Sequence, residues 1–247
     1  EILRAGLAAA GIEASFEHCR RRNGFSWVLD FILRRKPFAK TVIFLERVHP
    51  FWFGAAKKYF LVPNQERFPK RQVGALKKIS TVLCKTHHAE EIFGKLGCQT
   101  FFTGFTSSNR KENASPKDFK RFFHLAGRST EKGTAALISI WARNPSWPTL
   151  TIVIHPKNAE ELKRKFETMP PHVELLTRRL SEEELRSLQN ECGIHLCPSR
   201  CEGWGHYIVE AMSVGAVVVT TDAPPMNEII GDDRGILVAY AKESPRH

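Results

Sequence analysis

Two glutamates eight residues apart, Glu202 and Glu210, flank the short turn Gly203-Trp204-Gly205. A carboxylate accepts two hydrogen bonds from a vicinal diol, so this pair suits the hydroxyls of different parts of one elongated ligand, such as a sugar and a ribose. The glycines let a ligand approach the backbone, and the unpaired amides and dipole of a helix opening after Gly205 favour an anionic group. Upstream, the apolar run FFHLAG ends in Gly127; Arg128 follows at once, and Lys132 comes four residues later, next to Gly133. Two cations in that place can neutralise a diphosphate and stabilise it as a leaving group. Either cation alone would read as ordinary surface charge at a strand end.

Such residues need a scaffold, and the sequence alternates strand-like with helix-like runs from end to end. TVIFLE, KYFLVP, STVLCK and QTFFTG in the first half, and FFHLAG, LTIVIH, VELL, GIHLCP and AVVVTT in the second, are short and apolar, most of them rich in β-branched or aromatic residues. Between most of them lie helical stretches, among them residues 132–143, 181–192 and 206–214, with Ser181 and the three following glutamates marking a helix start. Apolar strands interleaved with helices predict an α/β fold of buried parallel sheets flanked by helices. Residues 1–11 read as a helix already under way. The polar stretch 106–120, with Pro116 and no apolar periodicity, reads as a linker, which predicts one domain over 1–108 and a second over 109–247.

Charge divides at the same place. Residues 1–110 carry 19 basic against 8 acidic residues, whereas residues 111–247 carry 18 of each, so the net +11 lies wholly in the first half. It gathers at Arg20-Arg21-Arg22, Arg34-Arg35-Lys36, Lys57-Lys58 and Lys77-Lys78. The readings are a solvated basic face, or one that meets an anionic membrane surface or an anionic acceptor. Nucleic acid is disfavoured, because the best ligand constellation is acidic. No run of about 18 apolar residues predicts a membrane-crossing helix, and the first residues lack the pattern of a signal peptide. The six cysteines, without a CxxC pair, read as reduced thiols of a cytoplasmic protein. Cys192, Cys197, Cys201 and His195 fit no common zinc spacing. There is no Asp-x-Asp motif, and Asp232-Asp233 reads as turn chemistry, so no metal is expected at the site.

The stretch 198–230 resembles the signature of the retaining GT-B glycosyltransferases of the group 1, or GT4, type: Glu-x7-Glu, an Ala-Met-x-x-Gly turn, then Thr-Asp-Ala-Pro-Pro-x-x-Glu. Gly127-Arg128 with Lys132-Gly133 resembles the first strand of that family's donor domain. LLTRRLSEEEL, at 175–185, resembles its strand, loop and Glu-Glu-Leu helix, with Arg178-Arg179 where Gly-Arg is usual. The resemblance implies two Rossmann-like parallel-sheet domains facing across a cleft. It implies that Glu202 meets the donor sugar, Glu210 the ribose, and Gly203, Trp204 and Gly205 the sugar and diphosphate. Gly127, Arg128 and Lys132 would face the diphosphate, and Thr177 and Arg178 the nucleobase.

It further implies that the first domain binds the acceptor and places a residue near the anomeric carbon. His49, after the run TVIFLE, is the candidate; its alternative is a capping or packing histidine. Glu66 is a weaker candidate for an acceptor role. On this resemblance the chain is a fragment that begins after the family's first strand and Gly-rich loop and stops before its last helix. The implied reaction moves a sugar from a nucleoside-diphosphate sugar to a glycan or lipid-linked hydroxyl, with retention and without a cofactor, in polysaccharide or glycolipid synthesis. The cytoplasmic enzyme would sit peripherally at the inner face of a membrane. A non-catalytic nucleotide-sugar-binding module, or a sugar-nucleotide epimerase of the same fold, is the alternative.

Overall fold

Apolar, β-branched runs become parallel strands throughout the chain, because strands covered on both faces by helices gain most from burying continuous hydrophobic surface. The computed structural model describes residues 2–15, 39–112, 116–231 and 233–241. Cys19, Asp232 and the basic clusters at 20–22 and 34–36 lie outside the described residues. By contacts the chain divides into two units, Glu1–Thr106 and Ser107–His247.

The first unit contains α1 (Ile2–Ala9), β1 (Ala39–Glu46), β2 (Ala56–Pro63), β3 (Thr81–Cys84), α2 (His87–Lys95) and β4 (Thr100–Phe102). The four strands pair in parallel in the order β1-β2-β3-β4. Phe44, Leu61, Val82 and Phe93 form the centre of its core. Tyr59 is buried with them, and its hydroxyl oxygen accepts from the amides of Gly54 and Ala56, so this hydroxyl is not stranded. Thr86 caps α2 by accepting from the amide of Ala89.

The second unit runs β5 (Asp118–Gly127), α3 (Thr134–Ala142), β6 (Leu150–Ile154), α4 (Pro156–Lys165), β7 (Val173–Leu176), α5 (Glu182–Glu191), β8 (Cys192–Cys197), α6 (His206–Ser213), β9 (Val217–Thr221), α7 (Met226–Ile230) and β10 (Ile236–Val238). The sheet order is β10-β9-β8-β5-β6-β7, parallel at every pairing. The chain winds outward from β5 to β7, returns to the other side of β5 with β8, and winds outward again. That reversal leaves a crevice at the carboxyl ends of β5 and β8, where doubly wound sheets bind ligands. Leu196 packs in the cluster with Ile138, Trp141 and Ile152, and Cys197 in the cluster with Ile208, Val218 and Met226. Adjacent residues of β8 serve different cores because successive strand side chains point to opposite faces.

The helix start at Ser181 forms a full capping box with Glu184. The stretch read as a linker is more structured than its polarity suggested. Residues 118–120 already belong to β5, and Arg110 is only 6% exposed. Its Nε donates to Gln189 Oε1 at 2.8 Å, its amide to Ser213 Oγ at 3.0 Å, and the amide of Glu112 to Asn190 Oδ1 at 3.0 Å. These polar residues bond to the ends of α5 and α6, so they need no apolar period. The short elements α7 and β10, five and three residues long, carry too few positions for a periodicity to show.

Two buried imidazoles stand in this sheet. Burial is the main cause that pushes His124 and His195 down to about 4, from 6.5. Both are therefore neutral in the fold, whereas the unfolded chain takes up their protons near pH 6.5. Stability is then full above about 6.5 and is lost as pH falls toward 4, by up to about 1.4 kcal/mol per pH unit for each imidazole. Urea midpoints should fall between pH 7 and pH 5. A midpoint that stays constant would mean that these rings take up protons without unfolding.

Candidate functional site

The crevice is framed by two turns. The first follows β5. Gly127 has φ +57° where the β5–β6 register shifts, and Gly133 has φ +71° at the N-cap of α3. A Cβ on Gly133 would lie 2.4 Å from the carbonyl oxygen of Pro198, so only glycine lets this turn approach the end of β8. His124 joins the same two elements. Its Nδ1 lies 2.7 Å from the Leu196 carbonyl oxygen and its Nε2 2.9 Å from Thr134 Oγ1. A carbonyl only accepts, so in the neutral ring Nδ1 carries the proton and Nε2 accepts from Thr134. Nearer the loops, the Arg200 amide donates to the Glu131 carbonyl at 2.8 Å, and the two side chains pair at 2.9 Å.

The second turn, between β8 and α6, carries Glu202 and the three residues Gly203, Trp204 and Gly205. Gly205 has φ +94° as the N-cap of α6, with Ile208 and Ile229 packed where a side chain would start. Ser199 Oγ donates to Glu202 Oε1 at 2.6 Å, and Ser199 Oγ and Tyr207 Oη are also 2.6 Å apart. Lys132 reaches this group from the first turn: its Nζ lies 3.7 Å from the centre of the Tyr207 ring and donates to the Leu125 carbonyl at 3.1 Å. Burial pulls the Lys132 ammonium below its ordinary value, while the charges of Glu202 and Glu210 oppose that. Trp204 Nε1 donates to Ser107 Oγ at 3.2 Å, and that hydroxyl also meets His206 Nδ1 at 2.8 Å. On α6, Glu210 Oε2 accepts from Gln189 Nε2 at 3.4 Å.

The structure thus brings Gly127, Lys132, Glu202, Gly203, Trp204, Gly205 and Glu210 to one end of the sheet. Arg128 is there too, exposed at the end of β5. Thr177 and Arg178 follow β7, two strands from β5. The Arg178 guanidinium pairs with both oxygens of Glu184, at 3.0 and 2.7 Å, and so braces the start of α5. His49 belongs to the first unit. It occupies the N-cap of a single 3-10 turn, Pro50–Trp52, without a side-chain capping bond, and its ring centre is 6.3 Å from that of Phe44 and 5.8 Å from that of Phe51. Burial, then Arg47, lowers its proton affinity. Ser199, Tyr207 and Gln189 were not singled out from sequence. Ser199 sits three positions before Glu202, but nothing local marks a serine or a tyrosine as a partner of a carboxylate.

Comparison with known proteins gives a family and a fold. The family model described as glycosyl transferases group 1 matches residues 105–244. A GDP-mannose:cellobiosyl-diphosphopolyprenol alpha-mannosyltransferase of Xanthomonas oryzae pv. oryzae is 37% identical over 59 residues, which are 24% of this chain and 16% of that protein. The fold is similar to that of HepE from Anabaena, solved with UDP and glucose, with TM-score 0.67, 17% identity, and 97% of this chain and 76% of that chain covered. It is also similar to the pneumococcal O-GlcNAc transferase GtfA, solved with UDP and GlcNAc, with TM-score 0.61, 16% identity, and 88% of this chain and 49% of that chain covered. The chain therefore spans 16% of the mannosyltransferase and about half of GtfA. Two parallel α/β sheets with these neighbours define a GT-B fold.

Proposed function

The chain belongs to the group 1 glycosyl transferases, and from that membership we propose that its second unit binds a nucleoside-diphosphate sugar between β5 and β8 for transfer to a hydroxyl acceptor. The observation that carries the reading is the gathering of Lys132, Glu202 and Glu210 at the point where the sheet order reverses, with Lys132 Nζ over the Tyr207 ring and the Tyr207 hydroxyl linked through Ser199 to Glu202. A cation beside two carboxylates suits a ligand with a diphosphate flanked by hydroxyl-bearing rings. The relatives support it by what they hold: HepE carries UDP and glucose, and GtfA carries UDP and GlcNAc.

In this reading Glu210 accepts from the ribose diol, and Glu202 faces the donor sugar. The backbone at Gly203 to Gly205 and the start of α6 receive the phosphates. Arg128 and Lys132 stabilise charge on the leaving diphosphate, so the site needs no metal. The sugar keeps its anomeric configuration, with the leaving diphosphate drawing the proton from the acceptor hydroxyl on the same face. Thr177 and Arg178 border the base, which requires Arg178 to leave Glu184 or to present its outer edge. His49 acts on the acceptor side. The lipid-linked acceptor in the mannosyltransferase's name supports a glycan on a lipid carrier. Among the described residues no helix is long and apolar enough to cross a membrane. Lys57, Lys58, Lys77 and Lys78 are exposed, and with the basic excess of the first half they support peripheral contact with an anionic inner membrane face.

A thermal-shift panel of UDP-, GDP- and other nucleotide sugars tests the central claim, since ligand at 100 times its dissociation constant stabilises by about 2.7 kcal/mol. Glu210→Gln should weaken nucleoside diphosphate binding by about 1.5–3 kcal/mol; equal binding by parent and variant rejects the ribose assignment.

Arg128→Ala and Lys132→Ala should reduce turnover more than nucleoside binding, because charge on the diphosphate grows as the glycosidic bond breaks. Equal losses for nucleoside monophosphate and diphosphate would contradict this. A chelator should leave turnover unchanged.

Vesicle co-sedimentation addresses the basic half. Binding should need anionic lipid and fade with salt, since screening acts over about 8 Å at physiological strength. No binding at low salt removes the membrane contact.

A further inference from the structure

We infer that Tyr207, acting through Ser199, is a positioning residue that holds Glu202 and Lys132 in register with each other; the inference rests on the donor-site reading above. Glu202, as a carboxylate, only accepts, so the single hydroxyl proton of Ser199 goes to Glu202 Oε1 at 2.6 Å. The oxygen of Ser199 is then left to accept, and Tyr207 Oη–H donates to it at 2.6 Å. The chain runs one way, from Tyr207 through Ser199 to Glu202. Ser199 and Tyr207 are 0% and 6% exposed, so water does not compete for the bond between them.

Ser199 has little freedom of its own. Its amide donates to the Cys197 carbonyl at 2.8 Å, and its carbonyl accepts from Thr221 Oγ1 at 2.8 Å, which ties it to β8 and β9. Tyr207 is the second residue of α6, and its backbone is fixed by the left-handed turn at Gly205. The face of the same ring carries Lys132 Nζ at 3.7 Å from its centre. A cation over a phenol face is attracted by the ring quadrupole. One rigid side chain therefore references both charges: its hydroxyl edge sets the carboxylate that faces the sugar, and its face sets the ammonium that faces the phosphates. Their separation is established before a ligand arrives, which is the condition under which fixed charges contribute most to a transition state.

The test separates edge from face in the full chain. Calorimetry gives Kd for UDP, UDP-glucose, GDP and GDP-mannose, and the ratio of nucleotide to nucleotide-sugar Kd measures what the sugar adds. Tyr207→Phe keeps the face and loses the hydroxyl. It should cut that ratio by up to about tenfold, the loss of one hydrogen bond between hydroxyls, and leave the Kd for the bare diphosphate unchanged. Ser199→Ala should do the same. Tyr207→Leu also removes the face and should further weaken diphosphate relative to monophosphate. In a Glu202→Gln background, Tyr207→Phe should cost nothing more. If Glu202→Gln lowers the ratio while Tyr207→Phe and Ser199→Ala leave it intact, the positioning role is overturned. It is also overturned if these two variants weaken diphosphate and diphosphate-sugar equally, with a lowered Tm, as a purely structural defect would. If no probe binds, if the sugar adds no affinity in the parent chain, or if Glu202→Gln has no effect, the donor-site reading itself fails.

Discussion

His124 stands on β5 where the winding of the second sheet reverses, and its two ring nitrogens bond in two directions, to the Leu196 carbonyl of β8 and to the Thr134 hydroxyl that opens α3. The turns that follow β5 and β8 carry most of the candidate ligand groups, so the site is only as well defined as the relation between those two strands. A neutral imidazole is suited to this position because it offers one donor and one acceptor in a fixed plane. A protonated ring would face the Thr134 hydroxyl with a second donor and place a charge beside Lys132 in a dry interior. The close approach of Gly133 to Pro198 depends on the same geometry, since it leaves no room for a side chain between the turns.

Around that lock, charge is distributed unevenly in kind as well as in amount. Lys132 is half-buried and drawn toward Tyr207, Glu202 and Glu210, where removal from water makes each electrostatic contact stronger. Arg128, four residues earlier, is exposed at the end of β5. Arg178 and Glu184 show the contrasting case. Their paired charges lie at the surface and complete a helix cap, where water screens them and they contribute little beyond fixing the loop.

The first unit repeats the parallel arrangement on a smaller scale. Its polar residues also gather at the carboxyl ends of strands: His49 after β1, Asn64 after β2, and Lys85 after β3, with Lys85 Nζ donating to Asn64 Oδ1 at 2.9 Å. In the second unit the strand faces are taken by helices and core, which sends polar groups to the strand ends; in the first, β1 and β2 also carry exposed lysines within the strands.

Sequence alone determined the longer elements and the chemistry that is local in the chain. Runs such as LTIVI and VVVTT, interleaved with helical stretches, read as strands of a buried parallel sheet, and the Ser181–Glu184 box, the Gly-Trp-Gly turn and the Glu-x7-Glu spacing each fit within a few turns of backbone. The tertiary structure decided what depends on partners far apart in sequence. Arg110 looked like a linker residue and is buried, because Gln189 and Ser213, 79 and 103 positions away, receive its bonds. Arg178 reads from sequence as facing a nucleobase, and the fold adds a partner that this reading lacks, Glu184. Tyr207 had only a helical position until Lys132, 75 residues earlier, was found over its ring. A hydrogen bond or a ring contact needs atoms within about 4 Å, and spacing along a chain specifies such distances only inside one element; between elements they exist only once the sheet has set its strand order.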